Sequence, residues 1–216
     1  MSGIREVVRQ VLEEREAGDA FRAMDGLSAF VELLLRANET MNLVSRKEAE
    51  PETLVRRHLL DALEALPLLP SRDDRPLRLL DVGSGGGFPA IPLLLVRQDF
   101  EGVLVESIGK KARFLGEAAR ALGLRCRVVA ERFPQPVVSL LRGEPRFDVV
   151  TSRAVAGAGE IVRQARPVSA PSAVALLWTS EALLPDIAKA LPGATVAFRK
   201  SPWAERRGIA RVERFT

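Results

Sequence analysis

Four of the five residues from Gly83 to Gly87 are glycine, and they stand between two apolar runs. The first run, Leu77 to Val82, reads as a buried strand; the second, Ala90 to Val96, reads as a helix. Strand, glycine turn, helix is the geometry by which a backbone approaches a nucleotide at the carboxyl edge of a parallel sheet. Glycine suits such a turn because it reaches positive φ and has no Cβ to block a ligand. The segment therefore predicts an α/β protein with an adenosine-bearing ligand lying against Gly83, Ser84, Gly85, Gly87 and Phe88.

The spacing leaves the nucleotide open. A dinucleotide fingerprint counted from Gly83 fails at Phe88; counted from Gly85 it passes at Ala90 in its relaxed form. The prolines favour one side. With a helix starting near Phe88, Pro89 and Pro92 fall in its first turn, where they remove N–H groups that a pyrophosphate would bind. S-adenosylmethionine has no phosphates and fits better. The next strand, Val103 to Glu106, ends in a carboxylate about 20 residues after the turn, placed to accept from ribose hydroxyls. Ser107 is the candidate N-cap of the helix that follows, and Lys110, Lys111 and Arg113 in its first turns form a basic face.

Strands and helices alternate beyond residue 77, as in a parallel sheet. Further strands are predicted at Arg127–Ala130, Phe147–Thr151 and Ala173–Trp178. Ala194–Lys200 and Ile209–Phe215 are joined by the short connection Ser201–Gly208, which leaves no room for a helix, so they should pair antiparallel. A mostly parallel seven-stranded sheet with an antiparallel C-terminal strand is the arrangement of class I S-adenosylmethionine-dependent methyltransferases. Residues 1–70 read as a helical extension, with helices at Ile4–Ala17, Met24–Ala37 and Pro51–Leu66, and residues 77–216 as the Rossmann-like domain. Pro70 to Pro76 reads as the linker between them.

At 216 residues and 47% hydrophobic content the chain can bury a full core. It has neither a membrane-length apolar run nor a signal-peptide pattern, and reads as a cytoplasmic monomer without membrane contact. The single Cys126 excludes an internal disulfide and a multi-cysteine metal site; no metal is expected. The net charge of +4 is compatible with a polyanionic partner without demanding one. Arginine dominates the cations, and its planar fork suits phosphate and RNA.

Five segments then occur in order: Asn42-Leu43-Val44-Ser45; Arg57-His58-Leu59-Leu60-Asp61-Ala62; Leu80 through the glycine turn to Pro92; Glu106 to Lys111; and Asp148 to Ala154. Together they resemble the RsmG (GidB) family, the bacterial 16S rRNA guanine-N7 methyltransferases, over roughly residues 25 to 180. The resemblance implies S-adenosylmethionine as cofactor, and cofactor contacts at Gly83, Phe88, the Ala130-Glu131 pair and Arg153. It also implies 16S rRNA or a small-subunit assembly particle as partner, with guanosine 527 in the 530 loop as the family target. Trp178-Thr179 stand where the family usually shows Lys-Gly.

The chemistry agrees with a ring-nitrogen target. Guanine N7 carries a lone pair and no proton, so positioning and water exclusion suffice and no general base is required. The chain lacks both the Asn/Asp-Pro-Pro-Tyr/Phe turn used on exocyclic amines and a cysteine nucleophile after the fourth strand. Arg153 is the candidate catalytic positioning residue. Arg57, His58, Lys110, Lys111 and Arg113 are candidates for RNA contact, Asp61 sharing a helix face with Arg57 and His58. A small-molecule acceptor, or silent cofactor binding, are the alternatives.

Overall fold

The computed structural model describes residues 2–15, 17–71, 75–153, 157–202 and 206–216. Three helices come first: α1 (Ser2–Glu14), α2 (Gly18–Phe21) and α3 (Met24–Met41). The predicted third long helix is not regular. It consists of α4 (Pro51–Leu54), a π-helical turn (Val55–Leu59) and α5 (Leu60–Leu63), followed by a 3-10 turn at Leu66–Leu68. Pro51 occupies its first turn as expected, and the Glu50 carboxylate caps it by accepting from the Glu52 and Thr53 N–H groups.

The α/β part runs β1 (Leu77–Val82), α6 (Ala90–Val96), β2 (Phe100–Val105), α7 (Gly109–Ala121), β3 (Cys126–Val129), α8 (Val137–Leu141), β4 (Phe147–Arg153), α9 (Ala158–Ala165), β5 (Ser169–Ser180), α10 (Leu184–Ala190), β6 (Thr195–Lys200) and β7 (Arg207–Glu213). One sheet has the order β3-β2-β1-β4-β5-β7-β6. β7 is antiparallel to both its neighbours; every other adjacent pair is parallel. The expected topology holds, with strand ends shifted by a few residues. Parts of the two polar connections, residues 72–74 and 203–205, and Ala154 of the resembling segments lie outside the described residues.

Both faces of β1 are covered, which is why its sequence is a continuous apolar run rather than an alternating one. Leu77 and Leu79 pack with the N-terminal helices, α6 and α7, in one cluster that includes Leu27, Phe30, Leu59 and Leu115. Leu80 and Val82 pack on the opposite face with α8, α9 and α10. The N-terminal helices thus share a core with the sheet. Where the chain enters β1, the buried Asp148 carboxylate takes a bidentate pair from Arg75 at 2.6 and 2.8 Å and a third bond from the Arg78 N–H at 2.9 Å. Asp148, the first residue of the last resembling segment, is an anchor for the linker and lies at the sheet edge away from the glycine turn.

Two local expectations are corrected. Pro89 is the residue before α6, not within its first turn, while Pro92 is within it; both still remove donors from the helix start. Ser107 does not cap α7. Ile108 holds the cap position with no side-chain bond, and the Ile108 N–H donates to Glu106 instead.

Candidate active site

The turn after β1 has the backbone its glycines suggest. Gly83, Gly85 and Gly87 have φ of 78°, 55° and 96°. The Gly83 and Ser84 N–H groups donate to the Val105 carbonyl, and the Gly87 N–H donates to the Ser84 carbonyl at 2.7 Å. The buried Ser84 hydroxyl donates to the Asp81 carbonyl. Glu106, one residue past β2, is buried and gives one carboxylate oxygen to the Gly85 N–H and the other to the Ile108 N–H, both at 2.8 Å. It therefore ties two loops together beside the turn. Glu106→Ala is expected to raise the Kd for S-adenosylmethionine roughly ten- to a hundred-fold, the worth of about 1–3 kcal/mol in charge-assisted bonds, and to lower the melting temperature as well. Calorimetric titration checks this; an unchanged Kd would remove Glu106 from the site.

Beside the turn, a cleft of about 460 Å³ is lined by Gly83, Val105, Ser107, Glu131 and Phe133 among others. Ser107 and Glu131 are thus brought to Gly83 as expected. Ala130 is exposed and outside that lining. Asp81, near the end of β1 two residues before the turn, has no role that sequence reasoning assigned. Its side chain is 1% exposed; one oxygen accepts from the Thr151 hydroxyl at 2.6 Å, and the other has no hydrogen-bond partner. Burial pushes its carboxyl up to about 6, against the opposing pull of Ser84 and Thr151. The signal for it was a lone charge closing an apolar strand.

A second cavity, of about 410 Å³, opens where the N-terminal helices meet the ends of β4, β5 and β7. Arg153, the last residue of β4, forms its wall. Its Nε pairs with Asp61 at 3.1 Å, and one terminal nitrogen lies 2.9 Å from His58 Nδ1 and 3.4 Å from the Arg57 carbonyl. Its guanidinium carbon stands 5.6 Å over the Phe88 ring. That ring is itself buried, edge-on to Phe30 at 5.1 Å and 5.4 Å from the His58 ring. Phe88 thus props Arg153 from below.

Because a guanidinium only donates, His58 Nδ1 accepts and its proton sits on Nε2, which faces the Glu48 carboxylate at 3.6 Å. Burial, aided by the Arg153 charge, lowers His58 to about 4, so the ring is neutral at pH 7. Burial raises the Asp61 carboxyl and works against the Arg153 charge, and each partner offsets the other's cost. Glu48 is held by Ser45 of the Asn42–Ser45 segment at 2.7 Å. Leu43 of the same segment packs against the turn, its carbonyl 3.4 Å from where a Cβ on Gly86 would stand. Four of the five resembling segments therefore converge on this region.

Arg57 lines the second cavity and is 70% exposed; Arg207 on β7, unmarked in the sequence, lines it also. Lys110 and Arg113 are exposed and Lys111 half-buried at the start of α7, on the β2 side of the sheet; they line neither cavity. Cys126 is half-buried in β3, its thiol pushed up to about 11 by burial, which leaves it unreactive.

Residues 23–191 match the GidB family, described as rRNA small subunit methyltransferase G. The chain belongs to that family. Ribosomal RNA small subunit methyltransferase G of Acidiphilium cryptum is 34% identical over 205 residues, covering 95% of this chain and 90% of the relative. Among solved structures, cofactor-bound Rv0187 from MTB superposes with a TM-score of 0.59 at 18% identity, covering 88% of this chain and 90% of that one. The 16S rRNA N2 methyltransferase RsmC of T. Thermophilus, solved with AdoMet and guanosine, gives a TM-score of 0.55 at 22% identity, covering 73% of this chain and 43% of that one. At these identities the two structures speak for the class I methyltransferase fold.

The cofactor of this GidB-family chain is S-adenosylmethionine, and the residues present fit it. The unpartnered Asp81 oxygen is a buried anionic acceptor whose chemistry suits the cofactor's ammonium group. Glu131 and Ser107 offer acceptors along the cleft for the adenosine part, and the glycine turn presents backbone without Cβ atoms. Among the described residues no cluster of His, Cys, Asp or Glu could hold a metal ion, and no helix is long and apolar enough to cross a membrane.

Proposed function

We propose that the protein methylates N7 of a single guanine in 16S rRNA, guanosine 527 by family pattern, working as a monomer in the cytoplasm on rRNA or a small-subunit assembly particle. The observation that carries this reading is the arginine-walled cavity beside the cofactor turn. Its wall is a fixed hydrogen-bond donor, Arg153, and its mouth carries the exposed cations Arg57 and Arg207. A mouth of that kind favours a base flanked by phosphates over a small neutral acceptor.

When bound, S-adenosylmethionine supplies an electrophilic methyl group on a sulfonium and leaves as a neutral thioether. The protein's own residues orient and enclose. Asp81 and Glu106 fix the cofactor end of the cleft. Arg153, clamped on two sides and stacked over Phe88, fixes the base with little entropy left to lose. N7 loses no proton, so the neutral His58 need not act as a base; it holds Arg153. Lys110, Lys111 and Arg113 extend the positive surface along the adenosine side, where RNA backbone would pass.

Mapping of N7-methylguanosine in 16S rRNA tests the reading. In a strain lacking the gene, one guanine is expected to lose its methyl group, and the wild-type gene to restore it. Complete methylation without the gene would overturn the proposal.

A further inference from the structure

The cavity beside Arg153 contains a hydrogen-bonding pattern that the mechanism above leaves unused. Asp61 Oδ2 ion-pairs with Arg153 Nε at 3.1 Å, and its Oδ1 takes no hydrogen bond among the described residues; the Arg207 charge also acts on this carboxylate. Arg153 spends Nε on Asp61 and one terminal nitrogen on His58 and the Arg57 carbonyl; its other terminal nitrogen takes no partner among the described residues. The two side chains are held next to each other in a space large enough for a purine. Arg153 and Asp61 thus offer an unspent donor and an unspent acceptor oxygen to one cavity, which Arg207 also lines.

We infer that Asp61 is the residue that distinguishes guanine from adenine, accepting the guanine N1–H through Oδ1 while Arg153 donates to O6. This rests on the guanine-methylating reading above. Guanine presents an acceptor, O6, next to a donor, N1–H. Adenine presents a donor, the N6 amine, next to an acceptor, N1, so both contacts turn repulsive. Reading an extruded base by its Watson–Crick edge is how enzymes acting on flipped bases select them.

The sheet order gives the orientation. Arg153 ends β4. Asp61 lies on its β5 side, where the Asp61 carbonyl accepts from Trp178 Nε1 at 2.8 Å. The glycine turn follows β1, on the other side of β4. In guanine, O6 stands between N1 and N7. With O6 on Arg153 and N1–H on Asp61, N7 points to the β1 side, toward the cofactor turn.

The carboxylate has a second consequence. As the N7–C bond forms and the C–S bond breaks, positive charge passes from sulfur to the purine, and N1–H becomes more acidic. The hydrogen bond to Asp61 then strengthens in the transition state, and the carboxylate also screens the new charge from Arg153. Interactions of that kind act on kcat more than on KM. Asp61 sits on the π-bearing helix, so base selection would come from the N-terminal helices and methyl donation from the sheet.

The test compares small-subunit particles reconstituted with guanine or 1-deazaguanine at the methylated position. 1-Deazaguanine keeps N7 and O6, and with it the Arg153 contact, but carries C–H where guanine has N1–H. The wild-type protein is expected to prefer guanine by about ten- to a hundred-fold or more in kcat/KM. In Asp61→Ala that preference is expected to shrink by about ten-fold or more, with the loss in kcat, while the Kd for S-adenosylmethionine stays within about two-fold. If Asp61 only supports Arg153 structurally, both substrates slow equally and the ratio survives, which overturns the inference. Asp61→Leu, of similar shape and without an acceptor, serves if the alanine variant fails to fold; an unchanged ratio there overturns it equally. No methyl transfer to the guanine particle by the wild type would instead defeat the functional reading, and this inference with it.

Discussion

Gly87→Val is expected to cost the fold about 3–5 kcal/mol, combining a β-branched residue at positive φ with overpacking. At φ 96° a Cβ here would stand 2.6 Å from Ile91 Cδ1 and 3.2 Å from Phe30 Cζ, and both are core side chains. For a chain of this size that is a fall in melting temperature of roughly 10 °C or more. The same substitution at Gly85 should behave differently. Its φ is 55°, and a Cβ would meet only the Gly83 carbonyl, at 3.8 Å. Gly85→Val therefore keeps most of the stability, losing about 1–2 kcal/mol in backbone strain, and loses cofactor binding because its branches fill ligand space. Thermal melts paired with calorimetric titration separate the two. Equal melting temperatures for both variants would contradict this division of labour, and full cofactor affinity in Gly85→Val would show that the ligand lies elsewhere.

The second large effect is expected at Asp81. Its folded carboxyl titrates near 6, against 3.8 when unfolded, so the folded chain binds the extra proton between those values. The sign follows directly: this group favours the folded state at low pH, and its contribution declines as pH rises through 6. At pH 7 the buried charge costs about 3 kcal/mol. Asp81→Asn removes that cost but buries an amide donor without a partner, so a net gain of about 1–2 kcal/mol at pH 7 is expected, shrinking toward pH 4. The same change removes the anionic acceptor for the cofactor's ammonium and should weaken S-adenosylmethionine about ten- to a hundred-fold. Wild-type affinity should fall about ten-fold per pH unit below 6, and that of Asp81→Asn should stay flat there. Stability must be compared between variants. His58 titrates near 4 when folded and 6.5 when unfolded, so it loses stability as pH falls through the same window and masks Asp81 in the wild type. A variant that is no more stable at pH 7 would remove Asp81 from the first role, and one that binds the cofactor as before would remove it from the second.

Much of the frame was legible because it is written in local patterns. Apolar runs punctuated by glycine and proline gave all seven strands within a few residues, and the short polar connection after Lys200 gave the antiparallel ending. The glycine turn was legible for the same reason: positive φ at Gly83, Gly85 and Gly87 is a backbone demand with a residue-level signature. What escaped lies across the chain rather than along it. Glu48 stands on a 3-10 turn with no periodic signal, and its role comes from His58 and Ser45 beside it. Arg207 looked like any surface cation. Ser107 resembled an N-cap by type and spacing, yet Glu106 reached the free N–H first. The π turn left no trace, since Val55 to Leu59 reads as ordinary helix.

That turn has its own consequence. A regular helix advances 100° per residue, so its residues keep one fixed phase along its length. The wider turn at Val55–Leu59 resets the phase in mid-helix, a known accompaniment of functional sites. At the start of that turn, Arg56 addresses Glu14 on α1 at 2.8 Å; past it, Asp61 addresses Arg153 and Trp178 on the sheet. One rod is thereby keyed to two bodies at once, like a shaft cut with two keyways at different angles. Neither keyway can be recut by sliding the sequence one place, so in this stretch the chain's length is as constrained as its chemistry.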